Sequence, residues 1–147
     1  MQFKISQGKG LRGDITIPVD KSISHRAVML ASLAEGKSKI SGLLEGEDCL
    51  ATVEVFKKLG VSISKEEEEY IVEGKGLQGL NEPISSLDFG NSGTLARLII
   101  GLLSTTPNID VRVGGDKSLN KRGMKKLIEL MSEFGATFLP KNRYTFP

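Results

Sequence analysis

Apolar and polar positions along the chain change period several times, and each change marks an element. Phe3 and Ile5, then Ile15 and Ile17, alternate with polar residues and predict short strands over 3–6 and 12–17. Ile23, Ala27, Leu30, Ala31 and Ala34 then recur at helical spacing over 22–34, with Gly36 placed to stop the helix and a strand expected near 38–43. Gly46-Glu47-Asp48 opens a second helix of about 48–59, with Leu50, Val53, Phe56 and Leu59 inward and Gly60 as its stop. Residues 61–64 and 70–73 read as a hairpin around the solvated acidic turn Glu66–Glu69. From Asp88 a further helix is predicted over 93–104, carrying Leu95, Leu98, Ile99, Leu102 and Leu103. It is followed by a strand over 109–113, a loop over 114–120, a helix over 121–134 that ends at Gly135, and strands over 136–139 and 144–146. The spacing puts Leu30, Val53, Phe56, Leu98, Leu102, Leu127 and Leu130 in the core.

The order strand, helix, strand, helix, strand, strand thus occurs twice, and Leu59-Gly60-Val61 answers Phe134-Gly135-Ala136. An offset of roughly 70–75 residues exceeds solenoid periods, so the chain reads as a duplicated α/β unit. The division is an N-terminal strand segment 1–19, a first unit 20–84 and a second unit 85–147.

Composition adds mainly exclusions. A net charge of +2 with 5% aromatics and no Trp is no footprint for nucleic acid. Cys49, the single cysteine, allows no internal disulfide and suits a reducing compartment. With no apolar run near the roughly 20 residues that span a bilayer, the expectation is a cytoplasmic protein without membrane contact. The G-x-G-x-x-G matches at Gly8–Gly13 and Gly74–Gly79 are accidental, because a strand follows the first and Pro83 the second. A nucleotide P-loop and any Cys/His cluster are absent, and neither metal nor cofactor is implied.

Three places share one chemical character: Lys21-Ser22 with Arg26, Asn91-Ser92-Gly93-Thr94, and Lys121-Arg122. Each lies at a predicted helix start, where unpaired N–H groups point outward. Cations there oppose the helix dipole, which makes sense if an anion is to sit among them. The plainer alternative is that Ser22 or Ser24 caps a surface helix and that Gly90–Thr94 is a capped turn. Asp48 reads as an ordinary helix-start acid, and Cys49 as neither ligand nor nucleophile. His25, the sole histidine, reads as a packing or capping residue facing away from the site.

With these residues in view, the chain closely resembles the N-terminal part of the 5-enolpyruvylshikimate-3-phosphate synthase family. The matching stretches are Asp20 to Ala27, Gly90 to Thr94 with Arg97, and Lys121-Arg122 followed by Met124. The resemblance implies βαβαββ units of an inside-out α/β barrel, here truncated, with the N-terminal strands pairing with a second domain. It also implies transfer of the enolpyruvyl group of phosphoenolpyruvate to the 5-hydroxyl of shikimate 3-phosphate, with release of phosphate. Lys21 would lie between both substrates as the catalytic group. Ser22 and Arg26 would hold shikimate 3-phosphate, while the Gly93 backbone and Arg122, flanked by Asn91 and Thr94, would hold phosphoenolpyruvate, so that all converge on one concave face. Val19 and Gly123 depart from the family pattern, where glycine and proline are common. The family's catalytic carboxylate and further arginines have no counterpart in these residues, so the rest of the same enzyme is the expected partner and the 147 residues alone are expected not to turn over. Two rival readings are a transferase acting on a UDP-amino sugar and an anion-binding module without turnover.

Overall fold

The computed structural model describes residues 3, 4, 6, 8, 10 and 12–146. Helix α1 (Lys21–Leu33) begins at Asp20, whose Oδ1 accepts the amide of Ile23 at 2.7 Å. One residue after α1 ends comes strand β1 (Glu35–Ser41), then α2 (Glu47–Lys58) and the hairpin β2 (Ser62–Glu66) and β3 (Glu69–Lys75), which turns through Glu67 at φ 52°. β3 is the centre of this sheet and runs antiparallel to both β1 and β2, so β1 and β2 are parallel and α2 is the crossover between them. Helices α1 and α2 pack together, α1 on β1 and β3 and α2 on β2.

The second half holds β4 (Leu87–Asp88), α3 (Gly93–Ser104), β5 (Val113–Gly114), a 3-10 turn (Leu119–Lys121) and α4 (Lys125–Glu133). β4 and β5 are parallel, and α3 packs on α1, α2 and α4. Phe56, Leu59, Leu87, Phe89, Leu95 and Ile99 are completely enclosed and join the halves into one core. The result is a mixed α/β fold, αβαββ followed by βαβα.

One recurrence is visible atom by atom. Gly60 (φ 89°) gives its amide to Lys57 O at 2.9 Å and Val61 to Phe56 O at 3.0 Å; Gly135 (φ 96°) gives its amide to Ser132 O at 3.0 Å and Ala136 to Met131 O at 3.1 Å. Both helices therefore end in the same left-handed glycine motif, which satisfies the same two orphan carbonyls.

Several expectations are corrected. The 12–17 strand does not form, and Ile15 and Ile17 are 84% and 75% exposed. The 3–6 strand falls partly on Ile5, outside the described residues, while Phe3, Lys4 and Ser6 have no strand geometry. The expected strands over 136–139 and 144–146 are likewise irregular, and of 109–113 only Val113 pairs. A strand needs a run of backbone bonds to a neighbour, and these stretches show only isolated ones, such as Met124 N to Tyr144 O at 2.7 Å and Leu87 N to Arg112 O at 2.8 Å.

The last helix is shorter than 121–134, because the chain first makes the 3-10 turn. Of the seven core assignments, Val53 and Phe56 are buried, and Leu102 and Leu127 pack partly against the core. Leu30, Leu98 and Leu130 are exposed. For α1 the inward face is Ser24, His25, Val28, Met29, Ala31 and Ser32, and Ile23 and Leu30 lie outside. The polar members can be inside because each has a partner: Ser24 Oγ donates to Asp20 O at 2.8 Å and accepts from Leu44 N at 3.0 Å, and Ser32 Oγ donates to Val28 O at 2.7 Å.

Candidate functional site

The site is built from helix beginnings. Lys21 is the first residue of α1, and its Nζ donates to Asp48 Oδ2 at 2.6 Å, in the first turn of α2. The hydrogen bond and charge of Asp48 push the Lys21 ammonium above the ordinary lysine value, and the positive charge of Arg122 works the other way. Ser22 is half-buried and Arg26 exposed, one turn apart on a neighbouring stripe of α1.

At the second cluster Ser92 caps α3, its Oγ accepting the amide of Leu95 at 3.2 Å. Gly93 is buried and Thr94 half-buried in the first turn. Arg97 Nη1 donates to the Gly93 carbonyl at 3.2 Å, and a Cβ at position 93 would stand 2.9 Å from Arg122 Nη1 and 3.1 Å from Arg97 Nη1. Two guanidinium groups therefore lie directly over the start of α3.

Arg122 is held there by a relay. Its Nη2 donates to Asn91 Oδ1 at 2.7 Å, and Asn91 Nδ2 donates to Asp116 Oδ2 at 2.6 Å. Asp116 Oδ1 accepts the amides of Leu119 at 2.7 Å and Ser118 at 2.9 Å; these bonds, Leu119 foremost and then Asn91, hold its carboxyl below the usual range. An ionised Asp116 fixes which end of the Asn91 amide faces Arg122.

Asp116 and the pairing role of Asp48 were missed from sequence, and Arg97 was named only as a residue of the resemblance, with no role. Asp48 does open α2, as read, but it also answers the lysine that opens α1. Its signal was a base and an acid in the first turns of two successive helices. The plain capping alternative fails for α1, where Asp20 and not Ser22 or Ser24 is the cap, and holds for Ser92. Cys49 is buried and free, its thiol pushed up by burial and by Asp48. Among the described residues no group of three or more His, Cys, Asp and Glu could hold a metal, and no helix is long and apolar enough to cross a membrane. A groove of about 1370 Å³ between the end of α3 and residues 134–146 is lined by none of the candidate residues.

His25 is fully enclosed beneath Lys21, with Nδ1 2.6 Å from Thr52 Oγ1. Burial lowers its pKa below the ordinary histidine value; Asp48 opposes that shift and Lys21 assists it. A folded value below the unfolded value of about 6.5 means that the unfolded chain binds the extra proton first. Stability contributed by neutral His25 is thus present above about pH 6.5 and lost as the pH falls below it. Urea midpoints compared at pH 7.5 and 5.5 are expected to fall more in the wild type than in His25→Asn, and equal falls would refute the assignment.

The mixed α/β frame thus carries Lys21 at the start of α1 and the Arg97 and Arg122 guanidinium groups over the start of α3. The chain belongs to the EPSP synthase (3-phosphoshikimate 1-carboxyvinyltransferase) family, whose profile matches residues 5–147. It is 51% identical over 137 residues to a 3-phosphoshikimate 1-carboxyvinyltransferase of Bacillus cereus (strain G9842), covering 93% of this chain and 32% of that protein. Identity to the protein of the same name from Bacillus thuringiensis (strain Al Hakam) is 50%, with the same coverage. Among solved structures, EPSP synthase from Acinetobacter baumannii matches with a TM-score of 0.83 and 41% identity, over 92% of this chain and 31% of that one. The chain spans about a third of the length of the curated relatives it matches.

Proposed function

We propose that these residues form the part of a 3-phosphoshikimate 1-carboxyvinyltransferase that gathers its two anionic substrates. Supporting this reading are the Lys21–Asp48 pair at the starts of α1 and α2 and the Arg122 and Arg97 guanidinium groups over Gly93 at the start of α3. Shikimate 3-phosphate would rest on Lys21, Ser22 and Arg26. Phosphoenolpyruvate would rest on the Gly93 backbone and Arg122, with Asn91 and Thr94 at its edge. Each substrate carries a phosphate and a carboxylate, so holding both together requires dense positive charge to offset their repulsion. In the reaction the 5-hydroxyl oxygen loses its proton and bonds to C2 of phosphoenolpyruvate while C3 takes up a proton in place of the C2=C3 double bond; the bond from C2 to the phosphate oxygen then breaks as C3 gives up a proton and the double bond re-forms. Lys21, kept protonated by Asp48, would face the charge that grows on the departing phosphate.

The units 20–84 and 85–147, with 1–19 as a segment for a further domain, complete this reading, and a free Cys49 suits a cytoplasmic setting. The test is calorimetric titration of the 147-residue chain with shikimate 3-phosphate, followed by phosphoenolpyruvate, alongside a phosphate-release assay. Weak saturable binding that is lost on raising salt, with no phosphate release, is expected; no binding of either substrate would overturn the reading. Gly93→Ala is expected to displace the two guanidinium groups and to weaken phosphoenolpyruvate by about tenfold while sparing shikimate 3-phosphate. Equal weakening of both would mean that Gly93 does not separate the two subsites.

A further inference from the structure

We propose that the buried His25–Thr52 pair is a positioning element that sets the register between α1 and α2 and so aims Lys21 at the anion. The inference rests on the substrate reading only for what Lys21 receives. Its basis is a spacing shared by two contacts. Lys21 meets Asp48 across 27 residues, and His25 meets Thr52 across the same 27. His25 lies four residues after Lys21, and Thr52 four after Asp48, so α1 and α2 run side by side in one direction with two rungs one turn apart. The outer rung is partly exposed and ionic; the inner one is fully buried and neutral.

The inner rung is hard to explain as filling. Nε2 of His25 is buried without a hydrogen-bond partner, so the bond to Thr52 is the one polar contact that offsets the enclosure of the ring. A leucine would occupy similar space without an orphan nitrogen, which makes histidine costly unless its single bond does something. What the bond does is penalise slippage. Sliding α2 by one turn would set His25 against the enclosed apolar ring of Phe56, four residues beyond Thr52, and remove its one partner.

The inner rung also reaches the outer one through bonds. Thr52 Oγ1 donates to Asp48 O at 3.3 Å, back along the first turn of α2. With the proton of His25 on Nδ1, a chain runs from imidazole N–H to hydroxyl to the Asp48 carbonyl, fixing the backbone that carries the carboxylate. On the other side Cys49 Sγ contacts Lys21 O at 3.7 Å, tying the backbone of the lysine to the same turn.

The experiment follows Lys21 itself. Lysines of the 147-residue chain are labelled by reductive ¹³C-methylation, Lys21 is assigned by its loss in Lys21→Arg, and its titration is read by NMR beside the affinity for shikimate 3-phosphate. Thr52→Val, which removes only the hydroxyl, is expected to move the Lys21 titration down toward that of an unpaired lysine and to weaken binding about tenfold. Thr52→Ser is expected to restore both. Because Thr52→Val leaves Nδ1 unpaired and risks the fold, His25→Leu combined with Thr52→Val replaces both partners by apolar groups, a change that can be nearly neutral for stability. The folded double variant is expected to show the same downward movement. A folded variant in which Lys21 titrates as in the wild type, or Thr52→Ser behaving like Thr52→Val, would overturn the proposal. Absence of shikimate 3-phosphate binding in the wild type would overturn the substrate reading alone, since the Lys21 titration needs no substrate.

Discussion

Lys21→Met is expected to weaken shikimate 3-phosphate binding roughly 100-fold, more than the loss of a single surface charge would predict. The excess comes from Asp48. In the wild type its carboxylate is 2.6 Å from the ammonium, with about a quarter of its side chain exposed. Removing the lysine takes away an attraction for the anion and also uncovers a like charge that faces it. Asp48→Asn in the Lys21→Met background is therefore expected to recover a substantial part of the loss, although the same substitution alone should weaken binding by loosening Lys21. That opposite sign in the two backgrounds is the mark of coupled neighbours. Calorimetric titrations of the four proteins at one low salt concentration decide it. Equal affinities of Lys21→Met with and without Asp48→Asn would show that Asp48 does not face the ligand.

How far the sequence revealed this molecule depended on how local each feature was. Helix α3 appears over the residues predicted, 93–104, because its start is written locally by Ser92 and its length by a run of helix-forming apolar residues. The ends of α2 and α4 were legible for the same reason: Gly60 and Gly135 each take a left-handed conformation that few other residues tolerate. The face of α1 was misread. Hydrophobic periodicity assigns inside to Ile23 and Leu30, and it cannot know that Ser24, His25 and Ser32 have partners waiting in the loop before α2, on α2 and on α1 itself. The strands expected at 12–17, 136–139 and 144–146 had local pattern without a ladder to join, and pairing is not a local property. The candidate site divides the same way. Its cations were visible at the helix starts, but the carboxylates that orient them, Asp48 for Lys21 and Asp116 through Asn91 for Arg122, act across 27 residues and across a loop.

Gly74→Ala is expected to be strongly damaging, lowering stability by about 3 kcal/mol and the melting temperature by about 10 °C. Propensity alone predicts the opposite sign, since glycine inside a strand costs roughly 0.5–1 kcal/mol relative to alanine. Geometry reverses it. A Cβ on Gly74 would land inside van der Waals contact of the carbonyl oxygens of Ala31 and Ala34 at the end of α1. These are backbone atoms and cannot swing away as a side chain would. Nor can the helix end retreat: α1 stops at Leu33 and β1 starts at Glu35, Ala34 O accepts the amide of Gly76 at 3.0 Å, and Gly36 lies opposite Gly74 in the ladder. Relief is left to a tilt of α1 away from β3, which would open contacts of the enclosed Val28 and shift Lys21 at the far end of the same helix. Gly101→Ala is the control. It lies within α3 with open space at its Cβ position, and it should stabilise by about 1 kcal/mol. Thermal and urea unfolding of the two variants, with the Lys21 titration repeated on Gly74→Ala, checks both signs. A Gly74→Ala protein as stable as the wild type would mean that the contact between α1 and β3 yields far more readily than its backbone geometry implies.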